Sequence, residues 1–231
     1  MSSAASSPDR AIPVIAIDGP SASGKGTVAA EVARRLGFHY LDSGALYRLS
    51  ALAALRAGTN LDDGEALARV TLAMRVEFAG EAVRLDGADV TEALRTEEVS
   101  AAASRVAAQP LVRSSLLERQ RGFRRSPGLV AEGRDMGSVV FPDAAFKVFL
   151  TASVAVRAER RHKQLMEKGM YAKMADVVEE LRRRDERDTS RPVAPLKHYP
   201  DAFFLDTTGL TVDSAVEEVL ARWRESASRG A

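Results

Sequence analysis

The chain has 231 residues, 45% of them hydrophobic and 28% charged, with a net charge of +1. That is enough apolar material for a sizeable core, and the length fits one or two domains. The near balance of charge excludes a global field aimed at nucleic acid or an anionic membrane. The lack of cysteine excludes disulfide staples, thiolate zinc sites and cysteine nucleophiles.

Residues 1–11 (MSSAASSPDRA) are small and polar, lack the apolar stretch of a secretory signal, and read as a disordered tail. No run of about 18 apolar residues follows, so no membrane span is expected, and a cytoplasmic location follows by default. The first ordered element is expected at 12–18 (IPVIAID), a nearly continuous apolar run that suits a strand buried on both faces of a parallel sheet. The loop GPSASGKG comes next. From Lys25 the period turns helical: Val28, Val32 and Leu36 stand four apart with Ala29 and Ala33 beside them, and Gly37 sits where a C-cap belongs. FHYLD at 38–42 predicts a second short strand, and Ser43 opens a helix that runs through YRLSALAALRAG to Gly58.

Between 60 and 127 the character changes. Two or three short alternating strands are predicted at MRVEFAG, EAVRLDG and ADV, with Gly80 and Gly87 at the turns, and helical sequence rich in Ala, Ser and Arg continues to Arg125. Ser126-Pro127-Gly128 breaks it. GLVAEG at 128–133 and FKVFLT at 146–151 read as buried strands, 152–188 as charged helix ended by Pro192 and Pro195, and AFFLDTT at 202–208 as a last core strand. A final helix, capped by Thr211 or Asp213, presents the stripe Val212, Val216, Val219, Leu220 and Trp223. Strand–helix units with two inserted segments, at about 60–127 and 160–195, argue for an α/β fold whose parallel sheet is covered on both faces.

The most informative segment is 19–27 (GPSASGKGT), which carries the spacing G-x-x-x-x-G-K between a predicted strand and a predicted helix. A triphosphate is a dense anion, and the N–H groups of a tight loop together with the positive end of a helix can ring it. Glycine lets the backbone approach closely, and Lys25 adds a mobile cation for the β- and γ-phosphates. Gly26 stands where the motif usually has Ser or Thr. The hydroxyl comes one place later, at Thr27, which is expected to hold Mg²⁺ directly or through water. The alternative is a simple Gly/Ser turn between strand and helix. A guanine-reading N-K-x-D is absent, since the only Asn is Asn60, followed by Leu61. No apolar strand ends in an Asp of the Walker B kind, the nearest case being LVAEG with Glu132.

Three further segments carry arginine in predicted loops or at helix starts: 42–48 (DSGALYR), 132–137 (EGRDMG) and 182–191 (RRRDERDTSR). Transfer of a phosphoryl group to a phosphate acceptor explains that preference. The acceptor's second pKa is near 6, so its oxygen is already anionic at neutral pH and needs no general base. What remains is the repulsion between two anions, which arginine's permanent charge and planar fork relieve. Catalysis is then alignment and charge neutralisation. Each segment has a plainer alternative: Arg48 on a solvated helix face, Arg134 paired locally with Asp135, and 182–191 as a solvated face. An RNA-binding patch at 182–191 is disfavoured by the interrupting Asp185, Glu186 and Asp188 and by the lack of aromatics. His39, His162 and His198 show no metal-site spacing. The 160–195 segment, with Gly169 near its middle, is the candidate flap that would exclude water from the reacting phosphate.

Taken together, AIDGPSASGKGT, YLDSGALYR, GRDMGSVVFPDA, RRDERDTSR with PVAPL, and the closing LDTT resemble the bacterial cytidylate kinases over nearly all of residues 12–223. The resemblance implies a P-loop NTPase core of five parallel strands flanked by helices (12–43, 128–159 and 196–231), a monophosphate-binding insertion at 44–127 and a lid at 160–195. It implies ATP plus CMP or dCMP giving ADP and the diphosphate, with Mg²⁺, in a monomer that has no nucleic-acid or membrane partner. Carried over residue by residue, Gly19, Pro20, Ser21, Ala22, Ser23, Gly24, Lys25, Gly26 and Thr27 bind ATP, with Lys25 at the transferring phosphate. Ser21, Ser43, Arg48, Arg134 and Arg191 surround the acceptor phosphate, and Lys25, Arg134 and Arg191 are the catalytic charges. Ser104, Arg113 and Asp135 read the cytosine edge, and Arg184 and Asp188 reach the sugar. A carboxylate suits cytosine's amino group and would oppose the uracil carbonyl, a buried mismatch of about 1–3 kcal/mol. Two positions depart from the family pattern: Glu132 replaces an expected Asp, and Gln109 replaces an apolar residue. Outside this family, a kinase of another small acceptor and a nucleotide-dependent switch protein stay open.

Overall fold

The computed structural model describes residues 12–80, 82–167 and 169–229, so the tail expected at 1–11 lies outside the described residues. Strand β1 (Val14–Asp18) reads VIAID, and all five of its residues are buried. A strand with no solvent face belongs at the centre of a covered sheet. That is where it lies, in the strand order β2 (His39–Asp42), β6 (Leu129–Gly133), β1, β7 (Phe146–Thr151), β8 (Phe203–Asp206). β1 runs parallel to both neighbours, with Ile15 opposite Val130 and Phe146, and β7 runs parallel to β8.

One face of the sheet is covered by α1 (Lys25–Leu36) and α8 (Val212–Arg229). Ile15, Ile17, Val130, Val148 and Leu150 of the strands meet Val28 and Val32 of α1 and Val216, Val219 and Leu220 of α8. Each such side chain contributes about 1.5–3 kcal/mol when fully buried. Trp223 packs against the same cluster, as the stripe requires, but Val212 is 47% exposed and stands outside it. The cap of α8 is Thr211, whose hydroxyl oxygen accepts from Ser214 N–H at 3.1 Å. Asp213 falls inside the first turn.

The described chain divides into two compact units, one holding residues up to Leu41 and from Gly122 onward, the other Asp42–Arg121. The second unit contains α2 (Ser43–Arg56), α3 (Gly64–Ala73), an antiparallel sheet of β3 (Val76–Ala79), β4 (Ala82–Leu85) and β5 (Ala88–Asp89), then α4 (Glu97–Val106) and α5 (Pro110–Arg121). Asp42 caps α2 by accepting Ala45 N–H at 3.0 Å. The sequence reading gave no separate helix at α3. Its signal was Asp63, whose side chain accepts Ala66 N–H at 2.9 Å.

In the first unit the charged stretch after β7 folds as two helices, α6 (Val154–Glu167) and α7 (Met174–Ser190). They share a small core of Ala158, Leu165, Val177 and Leu181. Among the described residues no helix is long and apolar enough to cross a membrane.

Candidate active site

β1, β6, β7 and β8 all deliver their carboxyl ends to one rim of the sheet, where open parallel sheets place ligands. Residues 19–24 leave β1 there and turn into α1. Gly24 has φ +91°, which a side-chain-bearing residue rarely adopts. Gly19 is required for a different reason: a Cβ on it would lie 1.9 Å from the Leu150 carbonyl oxygen of β7. Ala22 takes a left-handed φ of 58° despite its methyl group. The start of α1 has no side-chain cap and no acid in its first turn, so the positive end of the helix dipole is turned to the loop. The Ser23 hydroxyl is buried and has no hydrogen-bond partner among the described residues.

The loop's carbonyls are held from below. Arg157, buried in α6, donates to Ser21 O at 3.1 Å and to both oxygens of Asp185 on α7 at 3.1 and 2.6 Å. Arg160 donates to Ser23 O at 2.9 Å and to Thr207 O, just past β8, at 2.8 Å. Lys25 is buried at the loop's mouth, with its ammonium 3.3 Å from Pro20 O and 3.6 Å from Glu132 Oε2. Glu132 also borders Gly26, where a Cβ would lie 3.2 Å from Glu132 Oε1. Glu132, which stands where the family pattern has Asp, thus faces the loop lysine.

Arg134 follows β6 and is not paired locally with Asp135. Its Nη2 donates to Ser21 Oγ at 2.7 Å and its Nε to Asp188 on α7 at 2.7 Å. Arg191 Nη2 lies 3.8 Å from the other Asp188 oxygen. Asp188 and Arg191 are buried, so 182–191 is not simply a solvated face, although Arg182, Arg183 and Glu186 are exposed. Burial alone would raise the Asp188 pKa. The guanidinium groups of Arg134, Arg191 and Arg184 outweigh it and hold the carboxyl below the usual carboxylate range. Burial would likewise lower Arg134, but Asp188, Glu132 and Asp18 hold its charge in place. Arg184 is half-buried on α7. Asp135 is 2% exposed and starts a wide turn, Met136–Val140, in which Val140 and Phe141 N–H reach carbonyls five residues back. Such turns recur at functional sites.

The second unit holds the other expected residues. Ser43 is buried at the start of α2, and Arg48 on the same helix is ion-paired to Asp42 at 2.6 Å rather than solvated. Ser104 on α4 is buried, and its hydroxyl has no hydrogen-bond partner among the described residues. Arg113 on α5 lies 5.5 Å from the Tyr47 ring centroid and donates to Ala107 O at 3.1 Å. Gln109, the second departure from the family pattern, stands beside Gly64 at the start of α3.

The donor set suits a cation brought in with a phosphate. No group of three or more His, Asp or Glu among the described residues could hold a metal. Thr27 is exposed in the first turn of α1, and Mg²⁺ commonly takes one or two protein ligands plus phosphate and water oxygens. Each histidine ring is bonded to a backbone carbonyl, of Ser126, Ala172 and Ala202 respectively, as structural residues are.

Residues that the sequence reading missed are Asp18, Arg157, Arg160, Tyr199 and Thr207. Asp18 had a signal, an acid closing a wholly apolar strand. The arginines had none, since helices rich in arginine are common.

A family model described as cytidylate kinase matches residues 15–225 of the chain. A cytidylate kinase of Chromobacterium violaceum is 59% identical over 219 residues, covering 95% of this chain and 99% of the relative. One of Paraburkholderia phymatum is 58% identical over 212 residues, covering 92% and 93%. One of Bordetella bronchiseptica is 58% identical over 214 residues, covering 93% and 96%.

Proposed function

Because the chain belongs to the cytidylate kinase family, which phosphorylates CMP and dCMP with ATP, we propose that it does so by in-line transfer between two anion-binding groups of residues. The observation that carries this reading is the Arg134 guanidinium, bonded at once to Ser21 of the phosphate loop and to Asp188 of α7. It ties the donor loop to the acceptor cluster at hydrogen-bond range.

On this reading residues 19–27 bind the ATP phosphates. Their backbone N–H groups and the α1 N-terminus supply fixed positive potential, and Lys25 follows the transferring phosphoryl group. Ser21, Ser43, Arg48, Arg134 and Arg191 hold the CMP phosphate, whose oxygen attacks without a base because it is already ionised. Asp135, Ser104 and Arg113 meet the cytosine edge. The unpaired, buried Ser104 hydroxyl supports this, since a buried polar atom calls for a partner. Arg184 and Asp188 approach the sugar. Mg²⁺ bound with the nucleotide neutralises phosphate charge, and Thr27 is the chain's own ligand to it, directly or through water.

The insertion at 44–127 is the monophosphate-binding part. The lid is 160–195, and its two helices carry Asp188 to the cluster while sharing their own small core. The working unit on this reading is a monomer whose partners are ATP and CMP or dCMP.

The test is ADP release measured with a panel of monophosphates. CMP and dCMP are expected to drive it far more than AMP or GMP. Comparable rates with AMP would remove the base assignment, and ATP binding without turnover on any monophosphate would remove the kinase reading.

A further inference from the structure

Asp18 ends β1 with a carboxylate that is wholly buried. Its two oxygens gather three donors from two distant segments. Oδ1 accepts from Met136 N–H at 2.8 Å, and Oδ2 accepts from Gly137 N–H at 2.9 Å and from the Tyr199 hydroxyl at 2.6 Å. The two N–H groups are the first donors of the wide turn Met136–Val140, the kind a helical start leaves without partners. Asp18 therefore caps that turn from another strand. The chain enters the turn directly from Arg134 and Asp135. Tyr199 comes from the segment that follows Arg191 on its way back from α7.

The packing leaves no slack. A Cβ on Gly137 would stand 2.3 Å from the Tyr199 hydroxyl oxygen and 3.2 Å from Lys147 Cδ. Lys147 sits 5.7 Å from the Tyr199 ring centroid and pairs with Asp201 at 2.6 Å. An apolar residue could fill the end of a buried strand, and burying a carboxylate there is costly. Burial raises the Asp18 pKa to about 6, and the Asp135 charge adds to this, although Tyr199 and the two N–H groups pull it down.

We infer that Asp18 and Tyr199 are positioning residues for the acceptor: they fix the turn at 134–137 so that Arg134 and Asp135 present their charges to the monophosphate. The inference rests on the reading of those two residues as acceptor-binding. Asp18 and Tyr199 bond to protein groups and act on the acceptor through Arg134 and Asp135. Besides the Arg134 bond to Ser21, the donor loop has further supports in Arg157, Arg160 and Thr207, so the acceptor side feels the loss of this anchor more than the donor side.

The test uses the full chain at pH 8, where the CMP phosphate is dianionic. The KM for CMP at saturating ATP is compared with the KM for ATP at saturating CMP. Tyr199→Phe keeps the ring and removes one bond to a charged group. It is expected to raise the KM for CMP by about tenfold while leaving that for ATP nearly unchanged. Asp18→Asn is expected to lower kcat/KM for CMP by about 100-fold through misplacement of the turn. If that variant fails to fold, the milder tyrosine variant decides. The second readout is the acid limb of kcat/KM for CMP. Loss of the Tyr199 bond lets the Asp18 pKa climb further, so the limb moves to higher pH in Tyr199→Phe. The titration of CMP itself, and the fields of Asp135, Arg134, Lys147 and Asp201, are common to both proteins. Equal changes in the two KM values, or no change in either KM or the limb, would overturn the inference and leave the kinase reading standing. A parent protein that neither binds CMP nor releases ADP with it would overturn both.

Discussion

The phosphate loop at 19–27 and the cluster of Arg134, Asp188 and Arg191 both concentrate positive potential at the carboxyl rim of the sheet, but by opposite means. The loop is made of backbone. Its glycines answer to a close approach at Gly19 and a left-handed turn at Gly24, and its charge comes from peptide dipoles plus one lysine. The cluster is made of side chains from the turn after β6, from α7 and from the segment after α7, held by ion pairs at 2.7 and 3.8 Å. A backbone cradle is rigid and fails through sterics. A side-chain cage adjusts and fails through charge.

The sharpest test of this contrast is Lys25→Ala, which removes the one mobile charge from the rigid half. Turnover is expected to fall by about three orders of magnitude in a protein that still folds. A variant within about tenfold of the parent would mean that residues 19–27 are not the donor site. Gly19→Ala should break the same half by sterics alone. Its methyl group would meet the Leu150 carbonyl at 1.9 Å, with no flexible side chain to move aside, so urea unfolding should show a loss of about 3 kcal/mol. A neutral result would mean that the loop can lift off β7.

The smallest expected effect separates Asp188 of the cluster from the anchor Asp18 beneath its turn by pH. The depressed Asp188 pKa belongs to a carboxylate that is more easily ionised in the folded chain. Its stabilisation is therefore present above the ordinary carboxylate range and is lost as pH falls through the folded value. Asp18, raised to about 6, has the opposite sign. Between its unfolded and folded values the folded chain holds a proton that the unfolded chain has released, so stability falls as pH rises through that window and is level above it. Stability profiles of Asp18→Asn and Asp188→Asn against the parent should differ in the upper and lower window respectively. Coincident difference profiles would contradict the contrast.

The same contrast explains what was legible in the sequence. The central sheet could be read because β1, β6 and β7 are apolar runs bounded by glycine or polar residues. The loop could be read because backbone geometry forces residue types at fixed spacing. The antiparallel β3, β4 and β5 were legible from alternation and from Gly80 and Gly87 at the turns. Helix α3 went unread because its apolar face is short, with only Leu67 and Thr71 buried. The pairing of Arg134 with Asp188 spans 54 residues, and no local pattern encodes such a distance. Arg157 and Arg160 look like any arginines at the start of an amphipathic helix until the carbonyls of Ser21 and Ser23 appear beneath them.

The departure of Gly26 from the usual loop motif has a spatial logic. Any side chain at position 26 would begin 3.2 Å from Glu132 Oε1 and 3.8 Å from the Tyr40 hydroxyl, pushing away the acid that faces Lys25. The vacant place at 26 and the long acid at 132 are therefore neighbours that constrain each other. A designer restoring serine or threonine at 26 would ask the end of the Glu132 side chain to give by a few tenths of an ångström.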